Sequence, residues 1–505
     1  MGISEKLAKS LLVIKQHQDQ GVVAIQSAML ERADRERLIK HGFIKEVLRG
    51  WYVLSAPDEQ PGDSTLWYTS YWKFCAAYLN QRLGEQWCLS AEQSLNLHIG
   101  EKMVPAQLLV RSPKGRNQPT HFIHDTSVFD VRLALPDVNY LTKIDGLNLY
   151  SLPAALVHCA KSHFLKQPIA VRTALSMIAD ASDILAILIK GQYSAAAGRL
   201  AGGFRNIGRN LIADNIIKGM SAVDLKVKEF DPFEGESTMI FKRRELSSYV
   251  NRIRLIWLQM RPVVIENFPA ALDGHVNVEQ YLQTVEENYV ADAYHSLSIE
   301  GYKVTHELIE LVRSGQWSAE QSTANQQHVD AMAAKGYWDA FVKVKVSMTR
   351  VLNGEDPGDV LEQEHADWYL ALFGSSVAAG IVKPEDLAGY RTGSVFIRKS
   401  KYTPPSREAV REMMPTLFDL LMEEDNSAVR VVLGHFIFVY IHPYFDGNGR
   451  MGRFVMNLML AAGGYPWLIV PIERREEYMQ ALEAASVKGD IKPFTLFLAS
   501  VMGEG

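Results

Sequence analysis

The residues best suited to chemistry lie in one short stretch, HPYFDGNGRMGR, spanning His442 to Arg453. His442 is its only histidine, and an imidazole with an ordinary pKa of about 6.5 can accept a proton near neutral pH. Asp446 adds a hard carboxylate oxygen of the kind that holds Mg²⁺ beside phosphates. Gly447 and Gly449 permit positive φ and close backbone approach, so successive N–H groups can cradle an anion. Arg450 and Arg453 follow at i and i+3. A base, a metal ligand, a phosphate nest and two guanidinium groups suit phosphoryl-type transfer, which needs little beyond positioning and charge stabilisation. Taken singly, a His before Pro is an ordinary capped residue and a GNG is an ordinary turn; their coincidence in one loop points to function.

The elements that must carry these residues can be read from the flanks. The apolar run Val431–Ile441 predicts a helix. A second helix is expected to start near Gly449 or Arg450 and to run to about Ala462. A loop leading into a new helix start is an anion site, because unpaired N–H groups and the positive helix end face the ligand. Two arginines in the first turn conflict with that positive end, and a bound polyphosphate would remove the conflict.

Residues His442–Arg453 resemble the signature of the Fic family, HxFx[DE]GNGRxxR, with Tyr444 where Phe is usual. That side chain is expected to anchor the loop in the core, and a Tyr suits the place if its hydroxyl finds a partner. The resemblance covers about residues 240–505. It implies ATP as substrate with Mg²⁺ (or Mn²⁺), and a residue-by-residue set of roles. His442 would deprotonate a target hydroxyl that attacks the α-phosphorus, and Asp446 would hold the metal. Gly447, Asn448 and Gly449 would wrap the phosphates, Arg450 would pair with them, and Arg453 would reach the γ-phosphate. Upstream, SLSIEG resembles the family's inhibitory motif, here Ser296, Glu300 and Gly301; a carboxylate on Arg453 would leave ATP in a non-productive pose. A helix ending in a solvated Glu followed by a capping Gly is the ordinary alternative. In some relatives that Glu also supports removal of AMP. The stretch 389–406, GYRTGSVFIRKSKYTPPS, predicts a β-hairpin; its part 395–403 resembles the Fic flap, whose edge would pair with an extended target segment, and a plain surface hairpin is the ordinary alternative. The flap's tip would be Arg398, Lys399, Ser400, Lys401 and Tyr402. Tyr478, Met479 and Ser486 match positions around the adenine in relatives, although a Tyr-Met pair on a helix is commonly core.

The rest of the chain frames this region. At 505 residues it exceeds one hydrophobic core, and pattern divides it into 1–56, 65–230 and 231–505. In the first part a helical stretch, Ala24–His41, precedes the β-like run FIKEVLRGWYVLS with Gly50 at its turn, the order of a winged helix. Residues 55–64 read as a linker. The second part begins with helical, aromatic-rich sequence at Tyr68–Leu83. It continues through the strand-like runs QLLVR, THFIH and FDVRLAL, and returns to helices over about 152–217. The small residues of SAAAGRLAGGFRNIGRNL lack the GK[ST] of a phosphate loop and predict close helix packing. This front half resembles, loosely, the AbiEi antitoxin module. The expected fold is therefore mainly α: an all-helical Fic domain with a hairpin flap, preceded by an α+β winged-helix/AbiEi-like region. The candidate recognition helix carries Arg32, Arg35, Arg37 and Lys40, but also Glu31, Asp34 and Glu36. DNA binding and protein docking both stay open there.

Composition narrows the field. The net charge of −5 argues against a whole-chain polyanion binder. Three scattered cysteines, Cys75, Cys88 and Cys159, form no CxxC pair and suit a reducing cytoplasm. The N-terminus reads as an amphipathic helix rather than a signal peptide, and no apolar run reaches the length of a membrane span. HELIE at His306 lacks the second His of a zincin, and neither GxSxG nor a P-loop Lys occurs. The expectation is a cytoplasmic protein adenylyltransferase moving AMP from ATP to a Ser, Thr or Tyr hydroxyl and inhibited by Glu300. Its partners would be a target protein, itself as a modified substrate, and a second copy in a homodimer, with no membrane. The competing readings are a DNA-binding toxin–antitoxin regulator whose Fic half is the controlled toxin, and transfer of a different group.

Overall fold

The computed structural model describes residues 3–55, 57, 64–233, 247–271, 277–317, 325–383 and 389–504. The linker expected at 55–64 lies almost wholly outside them. Two compact units emerge: Met1–Ser248 with Phe396–Thr403, and Tyr249–Val395 with Pro404–Gly505. The fold is mainly helical.

The first unit opens with α1 (Ile3–Asp19), β1 (Ile25–Gln26), α2 (Arg32–Lys40), β2 (Ile44–Leu48) and β3 (Trp51–Leu54). The strands form an antiparallel sheet in the order β1-β3-β2, and Gly50 turns β2 into β3 at φ 81°. The helix expected from Ala24 is shorter than its sequence pattern. Ile25 and Gln26 pair with Tyr52 and Trp51, so helix begins only at Arg32. Burial decides this: Ile25 closes a small core with Ile14, Leu30, Leu38, Ile44 and Tyr52. Next come α3 (Thr65–Leu83), β4 (Cys88–Leu89), α4 (Ala91–His98), β5 (Gln107–Ser112), β6 (Pro119–His121), β7 (Ser127–Arg132), β8 (Leu141–Ile144) and β9 (Leu147–Tyr150). The three strand-like runs of the sequence supply β5, β6 and β7, in a sheet ordered β4-β5-β7-β6 with β5 and β7 parallel. The aromatic face of α3 packs in the main core of this unit, where Trp51, Trp67, Phe74 and Tyr78 meet edge to face.

Helices then run through α5 (Leu152–His158), α6 (Lys161–Lys166), α7 (Pro168–Ser176), α8 (Ser182–Lys190), α9 (Ser194–Asn206) and α10 (Asn210–Ser221). The small residues of α9 permit close approach both to helices, with Gly203 against Leu175 of α7 and α10 packed alongside, and to the irregular chain at 228–230. A Cβ on Gly198 or Gly202 would collide with the carbonyls of Lys228 and Phe230, and the Phe230 N–H donates to Gly198 O at 3.3 Å.

The second unit contains α11 (Ser248–Asn267), α12 (Val278–Glu287), α13 (Tyr289–Ile299), α14 (His306–Arg313), α15 (Asn325–Leu352), α16 (Pro357–Ala378), α17 (Arg407–Glu423), α18 (Ser427–Ile441), α19 (Asn448–Ala462), α20 (Arg475–Lys488) and α21 (Lys492–Glu504). Nearly every side chain of α18 is buried, so this helix is apolar all round and lies in the middle of the bundle. It starts where Asn426 Oδ1 accepts from the Val429 N–H at 3.1 Å. Helix α19 packs against α15, α16 and α18, which fixes its first turn from three sides. No described helix is long and apolar enough to cross a membrane.

The hairpin expected at 389–406 is not formed. The segment is irregular, with a turn closed by the Ser400 N–H donating to Ile397 O at 3.1 Å and Lys399 at φ 62°. Alternating residues favour extended chain, but a hairpin also needs a cross-strand ladder. Pro404 and Pro405 remove two donors from one flank. Arg398, Lys399 and Lys401 are exposed, Ser400 is half-buried and Tyr402 is buried.

Candidate active site

The site is built where α18 stops and α19 starts. Helix α18 ends on His442, which adopts the left-handed conformation at φ 53°, ψ 60°. For a non-glycine residue this costs about 1–3 kcal/mol and must be held by its surroundings. The holder is Arg391, a residue the sequence reading missed. Its Nε donates to His442 O at 2.7 Å, and its own N–H donates to Pro443 O at 2.9 Å. Set in GYRTG, Arg391 looks like part of an exposed turn, yet its side chain is fully buried.

The imidazole of His442 is oriented by a bond between Nδ1 and Val439 O at 3.2 Å. A carbonyl can only accept, so Nδ1 carries the proton and Nε2 is left as a bare acceptor. Burial pushes the pKa of His442 down to about 4, with the Arg391 charge adding to the effect. The ring is therefore a neutral base throughout the physiological range.

The loop itself is braced by Asn448, whose Oδ1 accepts from the Tyr444 N–H and whose Nδ2 donates to Tyr444 O, both at 2.9 Å. Both functions of that amide are thus used inside the protein, and only its backbone N–H is left for a ligand. Tyr444 anchors the loop as expected, stacked on Tyr369 with centroids 3.7 Å apart. Its hydroxyl, however, is buried without a hydrogen-bond partner among the described residues. The ring stack suits Phe as well as Tyr, and the oxygen adds only a desolvation cost.

Gly447 precedes α19 at φ 77°, and a Cβ there would press on the Phe373 ring. The first N–H groups of α19 have no intrahelical partner by geometry. Two guanidinium groups flank them. Arg450 is 1% exposed, lies over Phe373 and Tyr302 at 4.9 and 5.2 Å, and has a buried Nε with no hydrogen-bond partner among the described residues. Its Nη2 has a long ion pair with the exposed Asp446 at 3.7 Å, so a buried guanidinium with a spare Nε donor sits beside a helix N-terminus, a place suited to an anion.

Arg453 already has one. Its Nη2 donates to Glu300 Oε1 at 2.7 Å and to Ser296 O at 3.0 Å, while Nε donates to Ser296 Oγ at 2.9 Å. Helix α13 thus delivers Ser296 and Glu300 from one turn, and Gly301 at φ 94° ends that turn. Burial alone would raise the Glu300 pKa, but the charges of Arg453 and Arg450 outweigh it and hold the carboxyl below its ordinary value. Glu300 stands where a Cβ of Gly449 would fall, so the carboxylate lies directly over the start of α19 as an internal anion. Sequence reasoning also missed Asp292, one turn before Ser296. It is buried, accepts from the Tyr337 hydroxyl at 2.7 Å, and has its pKa raised by burial to about 6.

Asp446 can hold a metal. Its side chain is 66% exposed beside the helix start, with Oδ1 accepting from the Gly447 N–H at 2.6 Å. No cluster of three or more His, Cys, Asp or Glu occurs among the described residues. A single carboxylate is what a cation delivered with phosphates requires. Tyr478 points into the core, its hydroxyl 2.8 Å from His435 Nε2. Met479 and Ser486 are half-buried on the same helix.

Residues 370–460 match the Fic/DOC family. Protein adenylyltransferase fic-1 of Caenorhabditis briggsae is 35% identical over 124 residues, 24% of this chain and 24% of that protein. Protein adenylyltransferase Fic of Nematostella vectensis is 26% identical over 221 residues, 43% of this chain and 48% of that one. The chain thus spans between a quarter and a half of these relatives' length. Among solved structures, Fic-1 (residues 134–508) from C. elegans has 19% identity and a TM-score of 0.37, covering 67% of this chain and 96% of that one.

Proposed function

We propose that this chain, whose residues 370–460 form a Fic domain, is a protein adenylyltransferase that moves AMP from ATP to a hydroxyl of a target protein and is restrained by Glu300. The observation that carries the reading is the pairing of Arg453 with Glu300 at the start of α19, with a neutral imidazole in the loop just before it. ATP lies with its phosphates along that helix start. The backbone N–H groups of Gly447, Asn448 and Gly449 and the guanidinium of Arg450 hold the inner phosphates, and Arg453 takes the γ-phosphate. The target hydroxyl gives its proton to Nε2 of His442 as its oxygen bonds to the α-phosphorus. The bond to the β-phosphate oxygen breaks and pyrophosphate leaves. Asp446 would hold Mg²⁺ on the phosphates, where the ion supplies charge neutralisation. General-base assistance is worth roughly 10²–10⁴ in rate.

While Glu300 occupies Arg453, the γ-phosphate has no cation and the α-phosphorus is not presented to the base. Removal of AMP by the same Glu300 is the reverse facet of this reading. The exposed Arg398, Lys399 and Lys401 would meet the target, and Met479 and Ser486 would border the adenine, with Tyr478 held behind them on His435. Self-modification and a homodimer fit the same scheme. Buried, unpaired Cys75, Cys88 and Cys159 fit a cytoplasmic setting.

In this reading the chain divides at 1–56, 65–230 and 231–505, and its first two parts would be a winged-helix, AbiEi-like module. A DNA-binding, toxin–antitoxin reading of it is weakened by the pairing of its cations. Arg32 bonds Glu36, Arg37 bonds Asp34 and Ser10, and Arg35 donates to Ser27 O. Docking of a protein suits that surface better.

The test is labelling of a lysate by the Glu300→Gly form with α- or γ-labelled ATP. Label from the α position alone, lost in a Glu300→Gly/His442→Ala double variant that keeps its ATP affinity, is the expected result. Transfer of the γ label, or transfer that survives without His442, would refute the assignment.

A further inference from the structure

Arg391 lies outside the signature and the inhibitory motif, at the start of the 389–406 stretch, yet its side chain is fully buried and turned to the backbone that carries the base. Its Nε reaches His442 O at 2.7 Å and its Nη2 reaches Ile441 O at 3.5 Å. Its main-chain N–H reaches Pro443 O at 2.9 Å. One residue therefore serves three consecutive carbonyls at the end of α18. The Ile441 and His442 carbonyls lack intrahelical donors and form the negative end of the helix dipole, which is where a cation is favoured, and Pro443 lies just beyond. The same guanidinium also donates to Gly393 O at 3.0 Å and to Pro405 O at 2.5 Å, at the two ends of the 393–405 loop.

Holding the His442 carbonyl fixes the left-handed backbone, and the bond from Nδ1 to Val439 O fixes the ring. Together they decide where Nε2 points. A lysine could serve one carbonyl at a time, whereas the planar fork serves several at fixed angles. We propose that Arg391 is a positioning residue for proton acceptance by His442, tying the aim of the imidazole to both ends of the loop that receives the target. The proposal rests on the adenylyltransferase reading, and its test separates the two.

In the Glu300→Gly form, Arg391→Lys, Arg391→Gln and Arg391→Met are compared for ATP affinity by calorimetry, single-turnover rate at saturating ATP, and melting temperature. Leu417→Ala, a buried change in α17, supplies the reference for a generally weakened core. The expected result is ATP affinity unchanged within about threefold while the single-turnover rate falls roughly 30- to 100-fold in Arg391→Met and less in Arg391→Lys, as for a misplaced reacting group. A rate loss no greater than that of Leu417→Ala at matched melting temperature, or ATP affinity falling in step with the rate, overturns the proposal. Failure of all three variants to fold also overturns it, since the arginine would then serve only the fold. If the parent Glu300→Gly form itself transfers no AMP, the functional reading fails instead.

Discussion

Replacing Glu300 by Gly removes the internal anion from Arg453, and the structure sets the size of the effect. The bond is charge-assisted at 2.7 Å, with Arg453 5% and Glu300 24% exposed at the side chain. A hydrogen bond between charged groups of this kind contributes about 1.5–3 kcal/mol. The partial exposure of Glu300 places it toward the lower end. At about 1.4 kcal/mol per tenfold, productive ATP binding should tighten roughly 10- to 30-fold. The two bonds from Arg453 to Ser296 remain, so the guanidinium stays in place to receive the γ-phosphate. The assay is the initial rate of labelling from α-labelled ATP below saturation, with calorimetric titration of ATP and of ADP. ATP affinity and transfer should both rise. ADP, which lacks the γ-phosphate, should change little. Glu300→Gln, which keeps the bulk and loses the charge, should fall between. Transfer unchanged in a form that binds ATP normally would refute the inhibitory role, and an equal gain for ADP would refute the place assigned to the γ-phosphate.

The pH dependence follows from the same groups. With His442 pushed down to about 4, the acid limb of the transfer rate should fall near pH 4–5, and the rate should be flat from pH 6 to 8; a limb near 6.5 would show the ring to be solvated. The Glu300 pair is complete above the ordinary carboxylate pKa and is lost only as pH falls through a still lower value, so inhibition should persist at pH 5 in wild-type labelling assays. His435 is fully buried with its pKa lowered to about 4, so it favours folding fully above pH ~6.5 and loses roughly 3 kcal/mol of stability as pH drops to about 4. A His435→Gln variant should flatten that part of the urea-unfolding profile. Tyr444→Phe should leave the ring stack intact and raise stability by about 1 kcal/mol, read as a higher urea midpoint, because it deletes an unpartnered buried hydroxyl. Gly202→Ala should destabilise the first unit by about 1–3 kcal/mol through overlap with the Phe230 carbonyl, and an unchanged melting temperature would contradict the observed packing.

The sequence by itself determined what is local. The loop from His442 to Arg453, the helices on either side of it, and the turn that ends at Gly301 all follow from residue type and short-range spacing. Backbone freedom at Gly447, the apolar run of α18 and a helix start expected near Gly449, one residue after the observed Asn448, need no distant partner. The strands β5, β6 and β7 were legible for the same reason. Their parallel and antiparallel pairing was not, because register is set by which faces become buried.

Tertiary structure decided what depends on residues far apart in the chain. Nothing near Arg391 in sequence marks it as the partner of His442, since its ligands are carbonyls and carbonyls are the same in every residue. Ile25 became strand rather than helix because β3 offered it pairing and burial, a local propensity overruled by distant contacts. The expected hairpin failed for the converse reason: its alternation asked for a ladder that the chain around it does not supply. The Tyr444 hydroxyl went unpartnered because aromatic stacking, not hydrogen bonding, fixed the ring. Charge and side-chain chemistry are written in the residues. Where a carbonyl points, and which guanidinium finds it, is settled only when the helices pack.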